Sequence, residues 1–107
     1  MMHKTVKIGP IAYALVEVGD LHSGGVELDG QVRHCLSEIR IERDQEEQSK
    51  TQTLWHEIVH IILNQAGRRE DSKNEDLVEA LAYGLMGVIQ DNPWLATGGS
   101  DGGEDAG

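Results

Sequence analysis

The sequence predicts an α+β fold, a small and mostly antiparallel N-terminal sheet packed on two C-terminal helices. Residues 11–43 hold short apolar or alternating runs punctuated by glycine, the pattern of strands and tight turns. From about Gln45 onward apolar residues recur at helical spacing, with one interruption near Gly67. A chain of 107 residues has room for one small domain.

Ile11-Ala12-Tyr13-Ala14-Leu15-Val16-Glu17-Val18 is almost continuously apolar, which predicts a strand covered on both faces. Val26-Glu27-Leu28 and Val32-Arg33-His34 flank Asp29-Gly30, a dipeptide that favours a tight hairpin turn. In Glu38-Ile39-Arg40-Ile41-Glu42-Arg43 the alternation is strict, so Ile39 and Ile41 face a core while the charges face water.

The first helix is expected from about Gln45 to Ala66, with Gly67 just past its end and Arg68-Arg69 beyond the negative end of its dipole. Leu54, Trp55, Ile58, Val59, Ile61, Ile62 and Leu63 point in nearly every direction around it, which predicts a buried helix. Ser72-Lys73-Asn74-Glu75 reads as a capping box opening the second helix. That helix runs to about Gln90 and stops before Asn92-Pro93, because the residue preceding proline resists the helical region. Residues 96–107 carry five glycines, three acids and no apolar side chain larger than alanine, so a domain over 1–95 and a disordered acidic tail are expected.

Charge narrows the function classes. With 19 Asp+Glu against 9 Lys+Arg the net charge is -10, which excludes a nucleic-acid footprint and a polybasic membrane anchor. No apolar run reaches membrane-spanning length, and Met1-Met2-His3-Lys4 leads into no signal-peptide core. Cys35 is the single cysteine, which fits a reducing, cytoplasmic setting. Without phenylalanine and with two each of Trp and Tyr, the core must be aliphatic, and a bound metal would help so small a body.

One stripe of the first helix is polar. Thr53, His56, Glu57, His60 and Asn64 recur at spacings of three and four, on one side of the cylinder. Burying two imidazoles and a carboxylate without partners costs several kcal/mol, and a metal ion satisfies them. His56-Glu57-Ile58-Val59-His60 is the HExxH pattern. Four helical residues turn by about 400° and rise about 6 Å, so both imidazoles reach one tetrahedral Zn²⁺. Glu57, rotated to the edge of that face, is placed to act as general base without being a ligand.

A third protein ligand is then required, with the fourth position left for water. Candidates are Glu75, Asp76 and Glu79 on the second helix, His34 and Cys35 before the last strand, and the remote His3 and His22. The capping box engages Glu75. Glu79 lies a turn further in, beside Ala80 and Ala82, small residues that let the helices approach, and Tyr83 follows on the same face. Spacing alone reads Glu79 equally well as a solvated acid on an outer face.

The segments Thr53-Leu54-Trp55-His56-Glu57-Ile58-Val59-His60-Ile61-Ile62-Leu63 and Glu75-Asp76-Leu77-Val78-Glu79-Ala80-Leu81-Ala82-Tyr83-Gly84-Leu85 resemble the ImmA/IrrE-type zinc metallopeptidases, especially compact forms encoded by phages and mobile elements. Gln90-Asp91-Asn92-Pro93-Trp94-Leu95 is similar to the end of those short forms. The resemblance implies a minimal zincin-like domain with a gluzincin-like site: zinc on His56, His60 and Glu79, with Glu57 as catalytic base. It also implies proteolysis of a cytoplasmic regulatory protein.

On this reading Tyr83, or else Tyr13 or His34, donates to the developing oxyanion. A peptide or protein substrate adds in extended form to a sheet edge near the first helix. Two rival readings accompany it. One is a zinc-stabilised binding module that does not cut. The other is a peptide deformylase-like hydrolase, suggested by His34-Cys35-Leu36-Ser37 ahead of HExxH, although the glycine-rich segment of that family is absent.

Overall fold

A computed structural model describes residues 4–98 and has the expected α+β architecture. Two strands open the chain, β1 (Lys4–Ile8) and β2 (Ile11–Val18). They form a hairpin whose register pairs Ile8 with Ile11. The two-residue turn needs φ > 0 at its first central position, and Gly9 supplies it at +59° ahead of Pro10.

The next hairpin differs from expectation. β3 (His22–Ser23) pairs with β4 (Val26–Glu27) around Gly24-Gly25, whose φ values of +59° and +81° suit a turn with two left-handed residues. Asp29-Gly30 is not a hairpin turn. Gly30 instead begins β5 (Gly30–Arg33), which pairs antiparallel with β6 (Glu38–Glu42) across a 3-10 turn at His34–Leu36. Gly30 serves close approach: a Cβ there would lie 2.6 Å from the Thr53 methyl and 3.0 Å from Glu57 Oε2.

The four-stranded sheet has the order β1-β2-β6-β5, with β2 and β6 parallel and the other pairs antiparallel. Helices cover one face only. Tyr13 and Leu15 of β2 are therefore buried while Ile11, Ala12 and Ala14 are exposed, which corrects the expectation of a strand covered on both faces. Ile39 and Ile41 are fully buried, as their alternation predicts.

Helix α1 (Glu47–Gln65) ends where the sequence places its stop. Gly67 adopts φ +77°, its N–H donates to the Asn64 carbonyl, and Arg68 N–H donates to the Leu63 carbonyl, together a Schellman ending. Ile61, with Leu54 and Ile58, packs on Tyr13, Leu15, Ile39 and Ile41 of the sheet. Val59, with Trp55 and Leu63, packs on Val78 and Ala82. Two apolar sides thus meet two partners. Ile62 points to a third side and stays 45 % exposed, so α1 is not buried all round as expected. Lys50 ties α1 to the sheet through Glu17 at 3.0 Å.

A short helix, α2 (Arg69–Ser72), precedes α3 (Glu75–Asp91). The N-cap of α3 is Asn74, whose side chain accepts from Leu77 N–H at 3.1 Å, and the Ser72 capping box does not form. A 3-10 turn over Pro93–Leu95 follows. Most of the expected tail, residues 99–107, lies outside the described residues. No described helix is long and apolar enough to cross a membrane.

Candidate metal centre

Four-residue spacing stacks His56 and His60 on the polar face of α1, with ring centroids 4.9 Å apart and planes at 66°. Their Nε2 atoms lie 3.2 Å apart. The start of α3 faces this pair. Because Asn74 is the cap, Glu75 sits in the first helical turn with its carboxylate free to reach across: Oε1 lies 3.0 Å from His56 Nε2 and Oε2 3.4 Å from His60 Nε2.

The Nδ1 edges are engaged elsewhere. Glu79 Oε1 is 2.7 Å from His56 Nδ1, and Gln52 Nε2 donates to Glu79 Oε2 at 3.0 Å. Ser72 Oγ is 3.0 Å from His60 Nδ1 and 3.5 Å from the His60 carbonyl. A carboxylate can only accept, so the Glu79 contact calls for a proton on His56 Nδ1. Ser72 donating to the His60 carbonyl leaves its oxygen to accept from His60 Nδ1–H. In the tautomer with both Nδ1 atoms protonated, the two Nε2 atoms converge beside the Glu75 carboxylate, where a bound cation would take the place of the proton that must otherwise lie between ring nitrogen and carboxylate.

Those positions fit a tetrahedral cation. Metal–nitrogen bonds of about 2.0–2.1 Å imply donor–donor edges of roughly 3.3 Å. The Nε2–Nε2 separation of 3.2 Å matches such an edge, and the Glu75 carboxylate spans the pair, with Oε1 3.0 Å from His56 Nε2 and Oε2 3.4 Å from His60 Nε2. Donor atoms of His56, His60 and Glu75 all fall within 4.8 Å of one another.

Glu79 was the expected third ligand, and the structure instead brings Glu75 to the Nε2 side and sets Glu79 on the Nδ1 side of His56. One helical turn separates the two acids, so both face α1, whereas a capping box at Ser72 would engage Glu75 at its own helix start. Displacing the helix start to Asn74 released it. The same shift gives Ser72 its role against His60, which the capping reading concealed. Gln52 and Gly30 also escaped sequence reasoning. A glycine directly after Asp reads as a turn, and only the packing of β5 on α1 reveals the close approach.

Glu57 is 8 % exposed, and burial pushes its pKa up to about 7, with the Glu75 charge adding to the rise and the His56 charge opposing it. It opens into a cavity of about 250 Å³ beneath β5, shared with Asp29, Gly30, Thr53, His56 and Glu79. Comparison with protein-family models, with curated proteins and with solved structures finds no match to this chain.

The remaining candidates are not gathered at the centre. Tyr83 is 53 % exposed and does not line the cavity beside Glu57. Tyr13 is buried in the sheet core. His34 and Cys35 lie on the turn after β5, with Cys35 exposed and outside the His56, His60 and Glu75 group. His22 bonds the Asp20 carbonyl at the β3 hairpin, Asp76 is exposed, and His3 lies outside the described residues.

Proposed function

We propose that this protein is a zinc-dependent metallopeptidase that hydrolyses a peptide bond in a cytoplasmic regulatory protein. The observation that carries the reading is the convergence of His56 Nε2, His60 Nε2 and the Glu75 carboxylate beside a buried Glu57. His56, His60 and Glu75 would hold the metal, with Glu79 orienting His56 in place of the ligand role first expected for it. Zinc bound there supplies Lewis-acid polarisation of the scissile carbonyl and activates water near neutral pH.

Glu57 then takes a proton from the attacking water and delivers it to the leaving amine as the carbon–nitrogen bond breaks. Its low-dielectric setting raises its proton affinity to the range in which it can both accept and return a proton. Glu79 and Ser72 keep the imidazoles in the tautomer that exposes Nε2. β5 is the outer strand of the sheet beside this face and offers backbone groups to an extended substrate. Tyr83 keeps the role of oxyanion donor only if substrate binding moves it, since it does not reach the cavity here.

A non-cutting, zinc-stabilised module is the second reading. It draws on the contact between α1 and α3, whose buried cluster is limited to Val59, Val78 and Ala82 and which a metal bridging His56, His60 and Glu75 would reinforce. Glu57→Gln separates the two. In the peptidase it retains zinc and fold and lowers peptide hydrolysis by roughly a hundredfold or more. Absence of hydrolysis by the wild type, with biological activity retained in Glu57→Gln, would leave the binding module standing.

A further inference from the structure

The polar face of α1 runs alongside β5 between two cavities of opposite character. At the Gly30 end, the described residues lining the cavity beside Glu57 include Asp29, Glu57 and Glu79 and neither Lys nor Arg. At the other end of β5, a cavity of about 460 Å³ lies among His34, Asn64, Arg69, Ser72 and Lys73, with no carboxylate among the described residues of its wall. In a chain of net charge -10, a cavity walled by Arg and Lys without an acid runs against the composition.

Its donors are largely uncommitted. The side chains of His34, Asn64 and Arg69 make no hydrogen bond or ion pair with any described residue, and Lys73 has Glu70 at 3.7 Å. Ser72 joins this cavity to the metal centre, because it lines the cavity and its hydroxyl lies 3.0 Å from His60 Nδ1.

The two cavities are aligned. Gly30 lies over Thr53 and Glu57, while His34 shares a cavity wall with Asn64, so strand and helix run in the same direction. Four residues of strand cover roughly 13 Å. Among the described strands β5 is outermost, and an extended peptide beside its outer edge would run from the metal centre past this basic cavity.

We infer that the cavity of His34, Asn64, Arg69 and Lys73 is a carboxylate subsite, which holds the acidic end of an extended peptide laid along β5. The inference rests on the peptidase reading for its substrate, and the two can fail separately. A carboxylate pairs there with the planar donor fork of Arg69 and the ammonium of Lys73.

The test uses the full chain loaded with zinc and carrying Glu57→Gln, titrated by fluorescence anisotropy with labelled peptides. These carry a single Glu near one end of an otherwise uncharged extended sequence, with Gln or Lys in place of Glu. A further arm compares a C-terminal acid with its amide, which tells a side-chain carboxylate from a terminal one. The expected result is roughly tenfold tighter binding of the Glu or free-acid peptide than of its neutral counterpart, shrinking as salt rises. Arg69→Glu, at an exposed position, should abolish or invert that preference, and Lys73→Glu should weaken it. Equal affinity for Glu and Gln peptides, a preference unmoved by Arg69→Glu, or no binding of any peptide overturns the subsite. Wild-type cleavage of the same peptides judges the other reading: charge-selective binding without cleavage defeats the peptidase alone, and cleavage without charge preference defeats the subsite alone.

Discussion

Glu79 holds His56 by its Nδ1 edge at 2.7 Å, while Glu75 meets the opposite edge of the same ring, 3.0 Å from Nε2. Two acids one turn apart on α3 therefore meet different edges of one ring, and under the zinc reading they differ in task. Glu75→Ala should abolish tight zinc binding, since it removes a donor. Glu79→Ala should leave zinc bound but weakened by roughly 10- to 100-fold, the usual cost of losing a partner that only orients a ligand. Chelator competition on both variants checks this, and the reverse ranking would restore Glu79 as the ligand.

Ser72 is 6 % exposed, with its hydroxyl between His60 Nδ1 and the His60 carbonyl. Ser72→Ala should lower stability by about 1 kcal/mol in the metal-free protein through the lost hydrogen bond. It should also weaken zinc by roughly tenfold through a freer His60 ring. Urea unfolding with and without zinc separates the two effects, and a change confined to the metal-free protein would remove Ser72 from the centre.

At Gly30 the backbone has no room for a side chain. Gly30→Ala places a methyl 2.6 Å from Thr53 Cγ2, so β5 must lift from α1, at a cost of about 1–3 kcal/mol. Thr53→Ser removes the opposing methyl, and the double variant should recover a large part of that loss. A double-mutant cycle by thermal unfolding measures the coupling, and strict additivity would place the strain elsewhere.

The Glu42 carboxylate accepts backbone N–H groups from Leu21 at 2.7 Å, Asp44 at 3.1 Å and Asp20 at 3.3 Å, tying the β3 hairpin to the end of β6. The bond from Leu21 first, then that from Asp44, holds its pKa below the ordinary glutamate value. Its folded pKa lies under its unfolded one, so this stabilisation is present above the unfolded value, near pH 4.3, and is lost as pH falls through the folded value. Glu42→Gln should therefore lower the urea midpoint at pH 7 by more than at pH 3. A gap that stays constant with pH would assign the effect to shape rather than charge.

The α+β class, the end of α1 at Gly67 and the burial of Ile39 and Ile41 were legible in the sequence, because each depends on local spacing or on one residue's backbone preference. The same holds for His56, Glu57 and His60, whose common face follows from helical pitch alone. What the sequence could not settle depended on pairing between distant segments. Parallel pairing of β2 with β6, the uncovered face of β2, and the use of Gly30 for approach rather than turning are set by which elements meet. So are the different places of Glu75 and Glu79 around His56. Both acids lie on the face of α3 that meets α1, and only the tertiary contact, with Asn74 rather than Ser72 starting the helix, decides which one reaches Nε2. Spacing defines a face, and docking sets the depth at which each residue of that face meets its partner.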